Sequence, residues 1–384
     1  MPSVHEHHTS SEQATSPSAS GSVRLSPMKG CGLVVTFALG LIAFGFLDVV
    51  RPNSSFQWSF FGTGALLLVW SMALFGLSQR KSRTLTLKVA FRKQHYVQAS
   101  AQAVFLLYWG WHWRPVYDSV FLVAAQLIFA YAFDMLLCWS RRDSYTFGFG
   151  PFPVIFSINL FLWFIDDLFY MQFLLVALGF AGKELLQWNK EGRRVHIFNP
   201  SSFPLAIFSL GLILTGTSDL TWGQDIAITQ FYPPHVYLVL FLVALPGQYL
   251  FGVTSMTVSA VVATYAFGLL YSTVTGIYFF YDSYVPIAVF LGMHLLFTDP
   301  STAPRTELGR IMFGVLYGLS TVGLYVLLGR AGVPTFYDKL LQVPVLNLSI
   351  QLLDRLARSP RLRGFDPAML GRSLLPRQRN FAYM

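Results

Sequence analysis

The stretch FNPSSFPLAIFSLGLILT, from Phe198 to Thr215, sets a turn-forming motif directly against an apolar run. A near-copy of its opening, FTDPSTAP, runs from Phe297 to Pro304. In each, Asn or Asp is followed by Pro, Ser, Ser or Thr, one further residue, and Pro. Asn199 and Asp299 open the two copies, 100 residues apart, and a histidine precedes each, His196 and His294. Proline suits the first turn of a helix and not its interior. Ser and Thr are good caps, because the hydroxyl accepts from an unpaired backbone N–H. The wording therefore predicts helix starts near Ser201 or Ser202 and near Ser301 or Thr302, with Pro204 and Pro304 in the first turns. A capped start that faces a cavity offers free N–H groups and the positive end of the helix dipole to an anion. The plainer reading is a pair of loop-to-helix caps at a membrane surface. Duplication favours a site, since internal repeats often place one between equivalent broken helices.

Composition sets the frame around these motifs. Of 384 residues, 54% are hydrophobic, 16% aromatic and only 12% charged. A soluble domain carries about 25% charged residues. Eleven apolar runs follow one another, from Cys31–Val50 through Phe203–Thr215 and Tyr284–Phe297 to Leu308–Gly329. About 20 apolar residues cross a bilayer core as a helix. The expectation is an all-α, polytopic integral membrane bundle of about 10–12 transmembrane helices, with internal repeats and re-entrant or broken helices. The lipid bilayer is then the first partner. The net charge of +9 marks cytoplasmic loops rather than a nucleic-acid surface. Cys31 and Cys138 have no CxxC partner, which argues against a disulfide framework, a zinc site or an iron–sulfur cluster.

Residues 1–28 read as a disordered Ser-, Thr- and His-rich tail, whose HEHH cluster (His5 to His8) is a weak metal chelator at most. The loop Ser78–Gln94 holds Arg80, Lys81, Arg83, Lys88, Arg92 and Lys93, and further basic loops follow Trp139 and Trp188. Alternate loops carry Asp166 and Asp167, Asp219 and Asp225, and Asp282. This alternation predicts a cytoplasmic N-terminus. The Arg-rich end of the chain also asks to be cytoplasmic, which eleven full spans forbid. Either one short segment is re-entrant, or Phe336–Asp354 inserts as a last helix instead of lying on the surface. Insertion is favoured. Asp134, Lys183, Glu184 and His294 fall within apolar runs, where an unpaired charge costs several kcal/mol. Lys183 and Glu184 are adjacent and point about 100° apart on a helix, so each needs its own partner.

Four segments carry a family resemblance. GKELLQWNKEGRRVHIFNPSSFPLAIFSL (Gly182–Leu210) resembles a signature of the RnfD/NqrB family, membrane components of the Rnf electron-transport complex and the Nqr sodium pump. FTDPSTAPRTELGRIMFGVLYG is similar to the family's second signature, and GVPTFYDKLLQVPVLNLSIQLLDR to its C-terminal segment. DSYTFGFGPFPVIFS (Asp143–Ser157) is a weaker match. The likeness covers residues 143–355. It leaves residues 29–142 as additional N-terminal membrane helices and 356–384 as a basic cytoplasmic tail. It implies a helix bundle that holds flavin mononucleotide and passes electrons within the membrane. Lys183, Asn199, Pro200, Ser201, Ser202, His294, Asp299, Pro300, Ser301, Thr302 and Arg310 would line or support the site. The family's covalent attachment threonine lies in a GAT-type motif that this chain lacks, the nearest text being TGTSDLT (Thr215–Thr221). Any flavin is therefore expected to be non-covalent, with quinone or other membrane redox proteins as partners. Relatives encoded with enediyne biosynthesis also resemble the core without a clear attachment motif. The expected location is the cell (inner) membrane, with both termini cytoplasmic. Two alternatives stand beside electron transfer: a small-solute channel or transporter on a urea-channel-like fold, and a non-catalytic assembly component of a larger complex. No GxSxG, HExxH or P-loop supports a hydrolase.

Overall fold

The computed structural model describes residues 21–367 except 191 and 282. Apolar runs become helices because each interior N–H finds the carbonyl four residues back, which leaves an apolar surface to pack. Helices α1 (Pro27–Phe44), α2 (Ser54–Arg80) and α3 (Lys93–His112) come first. A short α4 (Pro115–Asp118) leads into α5 (Val120–Arg142). Next are α6 (Pro151–Asn159), α7 (Tyr170–Leu185), α8 (Ser202–Thr215) and a short α9 (Gly223–Thr229). Then follow α10 (Val236–Phe251), α11 (Thr254–Thr275) and α12 (Ile287–Leu291), the last running on as a π-helical turn over Gly292–Leu296. α13 (Glu307–Arg330) and α14 (Gln342–Ala357) close the bundle.

α4 and α9 lie within connections, and α6 and α12 are much shorter than the long helices α1, α2, α5, α11 and α13. α14 follows the 3-10 turn Thr335–Lys339. α14 packs against α13 and α8, with Asn347, Ile350, Leu353 and Asp354 buried. Its opposite face is exposed, with Val345 66%, Leu348 56% and Leu352 53% accessible. The two motifs sit at the same end, bridged by Asn347 of α14 and by His196.

That end is basic. It carries the connections holding Arg80, Lys81, Arg83, Arg92, Arg141, Arg142 and Arg194. The opposite end carries Asp48, Asp118, Asp166, Asp167, Asp219 and Asp225. Among the described residues five helices, α1, α2, α5, α11 and α13, are long and apolar enough to cross a membrane. Large apolar side chains face outward along the flanks, with Leu66 71% and Leu214 77% exposed.

The chain is not purely helical. β1 (Ser22–Leu25), β2 (Leu85–Val89) and β3 (Ser144–Phe147) form a small sheet at the basic end. β1 pairs antiparallel and β3 parallel to the central β2. β4 (Gln187–Lys190) and β5 (Arg193–His196) form a hairpin. Alternation in LTLKV was hidden within a loop notable for its charge. The expected tail also ends earlier than residue 28. β1 is ordered, and Ser26 caps α1, its side chain accepting from the Lys29 N–H with Pro27 at the first position. HEHH and the arginines after residue 367 lie outside the described residues.

Candidate functional site

The first motif folds around the Asn199 side chain. Its Oδ1 accepts from the Ser201 N–H at 2.9 Å, the Ser201 hydroxyl at 2.7 Å and the Ser202 N–H at 3.2 Å. The Phe203 N–H donates to the Asn199 carbonyl, and Pro204 has no N–H to give. α8 does begin at Ser202, but Asn199 rather than a serine supplies the cap. The expected free N–H groups are consumed within the motif, so this helix start offers no donor to an anion.

The second motif opens in the same way. Asp299 Oδ1 accepts from the Ser301 N–H at 2.9 Å, and its Oδ2 from the Thr302 hydroxyl at 3.3 Å. There the likeness ends. Pro300–Thr302 makes a single 3-10 turn, and the helix starts only at Glu307, capped by Thr306. The start expected at Ser301 or Thr302 is displaced because Asp354 of α14 holds the intervening segment. Its carboxylate accepts from the Arg305 and Thr306 N–H groups and from the Thr306 hydroxyl, at 2.8–3.0 Å.

Three side chains join the two copies. Asn347 of α14 accepts from the Asn199 N–H at 3.1 Å and donates to the Thr302 carbonyl at 3.3 Å. Asn199 Nδ2 donates to the Leu296 carbonyl at 2.8 Å. His196 Nε2 lies 3.0 Å from Asp299 Oδ2. The β4–β5 hairpin adds a clamp, the buried Lys190 ammonium donating to the Ala303 carbonyl at 2.8 Å. Burial opposes the charge on Asp299. The bond and charge of His196, the Ser301 N–H and the Thr302 hydroxyl outweigh it and hold the carboxyl below its ordinary value.

A cavity of about 370 Å³ opens beside this junction, within the range of small-molecule sites. Arg92, Arg142, Lys183 and Arg194 line it, with Asp134, Glu184 and Asp299. Each carboxylate already has a partner. Lys183 Nζ is 3.5 Å from Asp134. Glu184 meets Arg142 at 3.3 Å and Arg141 at 3.9 Å. Lys183 and Glu184 thus find separate partners, as their divergence on the helix required. Arg92 and Arg194 are exposed and have no ion pair among the described residues. The wall includes Pro151, Pro153, Val154 and Tyr145, which gives the basic cavity an apolar side.

Of the expected site residues, Lys183, Asn199, Pro200, Ser201, Asp299 and Ser301 line this cavity. Ser202 and Thr302 are buried behind it within their motifs, and Pro300 is half-buried beside Asp299. His294 is buried on the π-helical turn, its Nδ1 2.7 Å from the Phe290 carbonyl and its ring against Phe290. Arg310 pairs with Glu307 at 3.2 Å and donates to the Pro304 carbonyl at 3.1 Å. Sequence reasoning missed Arg92, Arg142 and Arg194 as lining residues, because they read as loop charge, and it did not single out His95. It also missed Asn347. The spacing of Asn347 and Asp354, seven apart on one helix face, was the available signal.

No protein-family model, no curated protein and no solved structure matches the chain.

Proposed function

We propose that this is a polytopic membrane protein that binds flavin mononucleotide non-covalently in the basic-end cavity. It then passes electrons to a quinone or to neighbouring membrane redox proteins. The observation that carries the reading is the charge balance of the cavity. Asp134 and Glu184 are ion-paired and Asp299 is bonded to His196, whereas Arg92 and Arg194 have no ion pair among the described residues. A phosphate monoester carries about −1.5 to −2 charges at neutral pH and suits two arginines. The apolar wall offers a surface for a flat ring. Bound flavin would supply the electron-transfer chemistry; the chain's residues bind and orient it. Ser218, in the text nearest to an attachment motif, lies in the connection after α8 at the opposite end, which supports non-covalent binding. Membrane placement is supported by the five spanning-length helices and the outward apolar flanks. Excess Lys and Arg favour the cytoplasmic side, so the basic end, both termini and the cavity mouth are placed there.

An absorbance spectrum of the detergent-purified protein, with analysis of the denatured extract, tests the redox reading. Yellow protein releasing intact flavin mononucleotide is expected. Colourless protein that takes up neither flavin nor quinone would rule it out.

A further inference from the structure

A second cavity, about 210 Å³, lies at the acidic end. Its walls are unlike those of the first. Six rings line it: Phe56, Phe121, Trp163, Phe164, Phe169 and Trp222. Val49, Pro115 and Leu122 add aliphatic surface. Two carboxylates also line it, Asp118 from the connection before α5 and Asp166 from the connection before α7. Neither has an ion pair among the described residues. The nearby cations are engaged elsewhere. Arg51 pairs with Asp48 at 3.8 Å, and Arg114 lies over the Trp111 and Tyr117 rings. Burial, and then the neighbouring Asp167, push the Asp166 carboxyl up, as expected where negative charge lacks a counterion.

One further atom is unmatched. Trp163 is 8% exposed and its indole N–H has no hydrogen-bond partner. A buried donor without an acceptor is destabilising. Trp163 lines the cavity, where an acceptor on a ligand would satisfy this donor.

We propose that the acidic-end cavity binds a small organic cation, a quaternary ammonium group that carries an oxygen acceptor, as choline does. Ring faces attract such a cation through their quadrupoles, and aromatic cages recognise methylated ammonium in this way. Asp118 and Asp166 supply the counter-charge. The Trp163 N–H meets the oxygen, and the aliphatic wall meets the methyl groups. A hard metal ion fits poorly, because Ca²⁺ wants six to eight oxygen ligands and this wall is mostly hydrocarbon. The proposal is independent of the flavin reading, which concerns the opposite end.

The test is isothermal titration of the full chain in a maltoside detergent, which has no ammonium group of its own. Choline should bind saturably. Its uncharged isostere 3,3-dimethyl-1-butanol should bind at least about tenfold more weakly, since it lacks the charge the rings and carboxylates recognise. The double variant Asp118→Asn, Asp166→Asn should weaken choline by about tenfold. It changes exposed side chains, so its melting curve should match the parent's and its flavin binding should be unaffected. Trp163→Phe keeps a ring but removes the donor, and should narrow the preference for choline over tetramethylammonium. Short-chain phosphatidylcholine added as a competitor distinguishes the source: displacement of choline assigns the site to a lipid headgroup, and no displacement to the free cation. Absence of saturable choline binding, equal binding of dimethylbutanol, or full affinity in the double Asn variant would overturn the proposal.

Discussion

Asn199 and Asp299 perform one structural task with different charge. Each side-chain oxygen turns back on the N–H two residues later, fixing the chain after a proline bond. Only Asp299 also draws in a histidine, so only the second copy carries charge into the cavity wall. Its carboxyl is held below the ordinary 3.8. Its ionised form therefore contributes stability in full above that value, and the contribution is lost as pH falls through the lowered one. Asp299→Asn should melt lower at neutral pH, and its melting temperature should fall less than the parent's between about pH 5 and about pH 3. A parallel fall in both proteins would refute the assignment. Asp354 makes a second residue-scale prediction. Asp354→Ala strands the Arg305 and Thr306 donors and should cost about 2 kcal/mol in denaturant unfolding. Asp354→Asn, which keeps one acceptor oxygen, should cost less.

Among the elements, α11 and α13 pack with their backbones close together. Gly314 and Gly318 lie four apart on α13, and a Cβ at Gly314 would collide with the Met256 carbonyl and the Ser259 hydroxyl of α11. This is the small-xxx-small packing that lets helix backbones approach in membranes. Gly314→Ala must separate the two helices and should destabilise by about 1–3 kcal/mol, read as a lower melting temperature. Gly323→Ala, on the same helix with open space around it, is the control and should have little effect. At this scale the sequence was readable in part. The long helices were legible because an apolar run of spanning length is a local signal. That Phe336–Asp354 carries a helix, α14, was legible from the wording of its sequence. The β2 strand and the brevity of α6 were not. A five-residue strand pairs with partners far along the chain, and those contacts leave no local pattern. The cap acceptors were misassigned for a related reason: Ser and Asn compete for the same N–H groups, and only the folded turn decides between them.

At the scale of the whole molecule, charge divides the two ends, and each end has its own cavity. Sequence duplication located one junction, yet the cavity there draws Arg92, His95 and Arg142 from segments outside the motifs. Their approach depends on packing of α3 and α5 against the rest of the bundle. The orientation can be checked with single cysteines in cells. Ser359→Cys, at the basic end, should resist a membrane-impermeant maleimide added outside, whereas Thr217→Cys, at the acidic end, should react. The reverse pattern would invert the assignment. The central claim is that leftover positive charge in the basic-end cavity selects a phosphate-bearing flavin. Titrating the purified protein with flavin mononucleotide and with riboflavin, for the parent chain and for Arg92→Ala plus Arg194→Ala, tests it most directly. The account predicts that flavin mononucleotide binds at least about tenfold more tightly than riboflavin and that the double variant loses this preference. Equal affinity for the two flavins, or a preference that survives loss of both arginines, would contradict it.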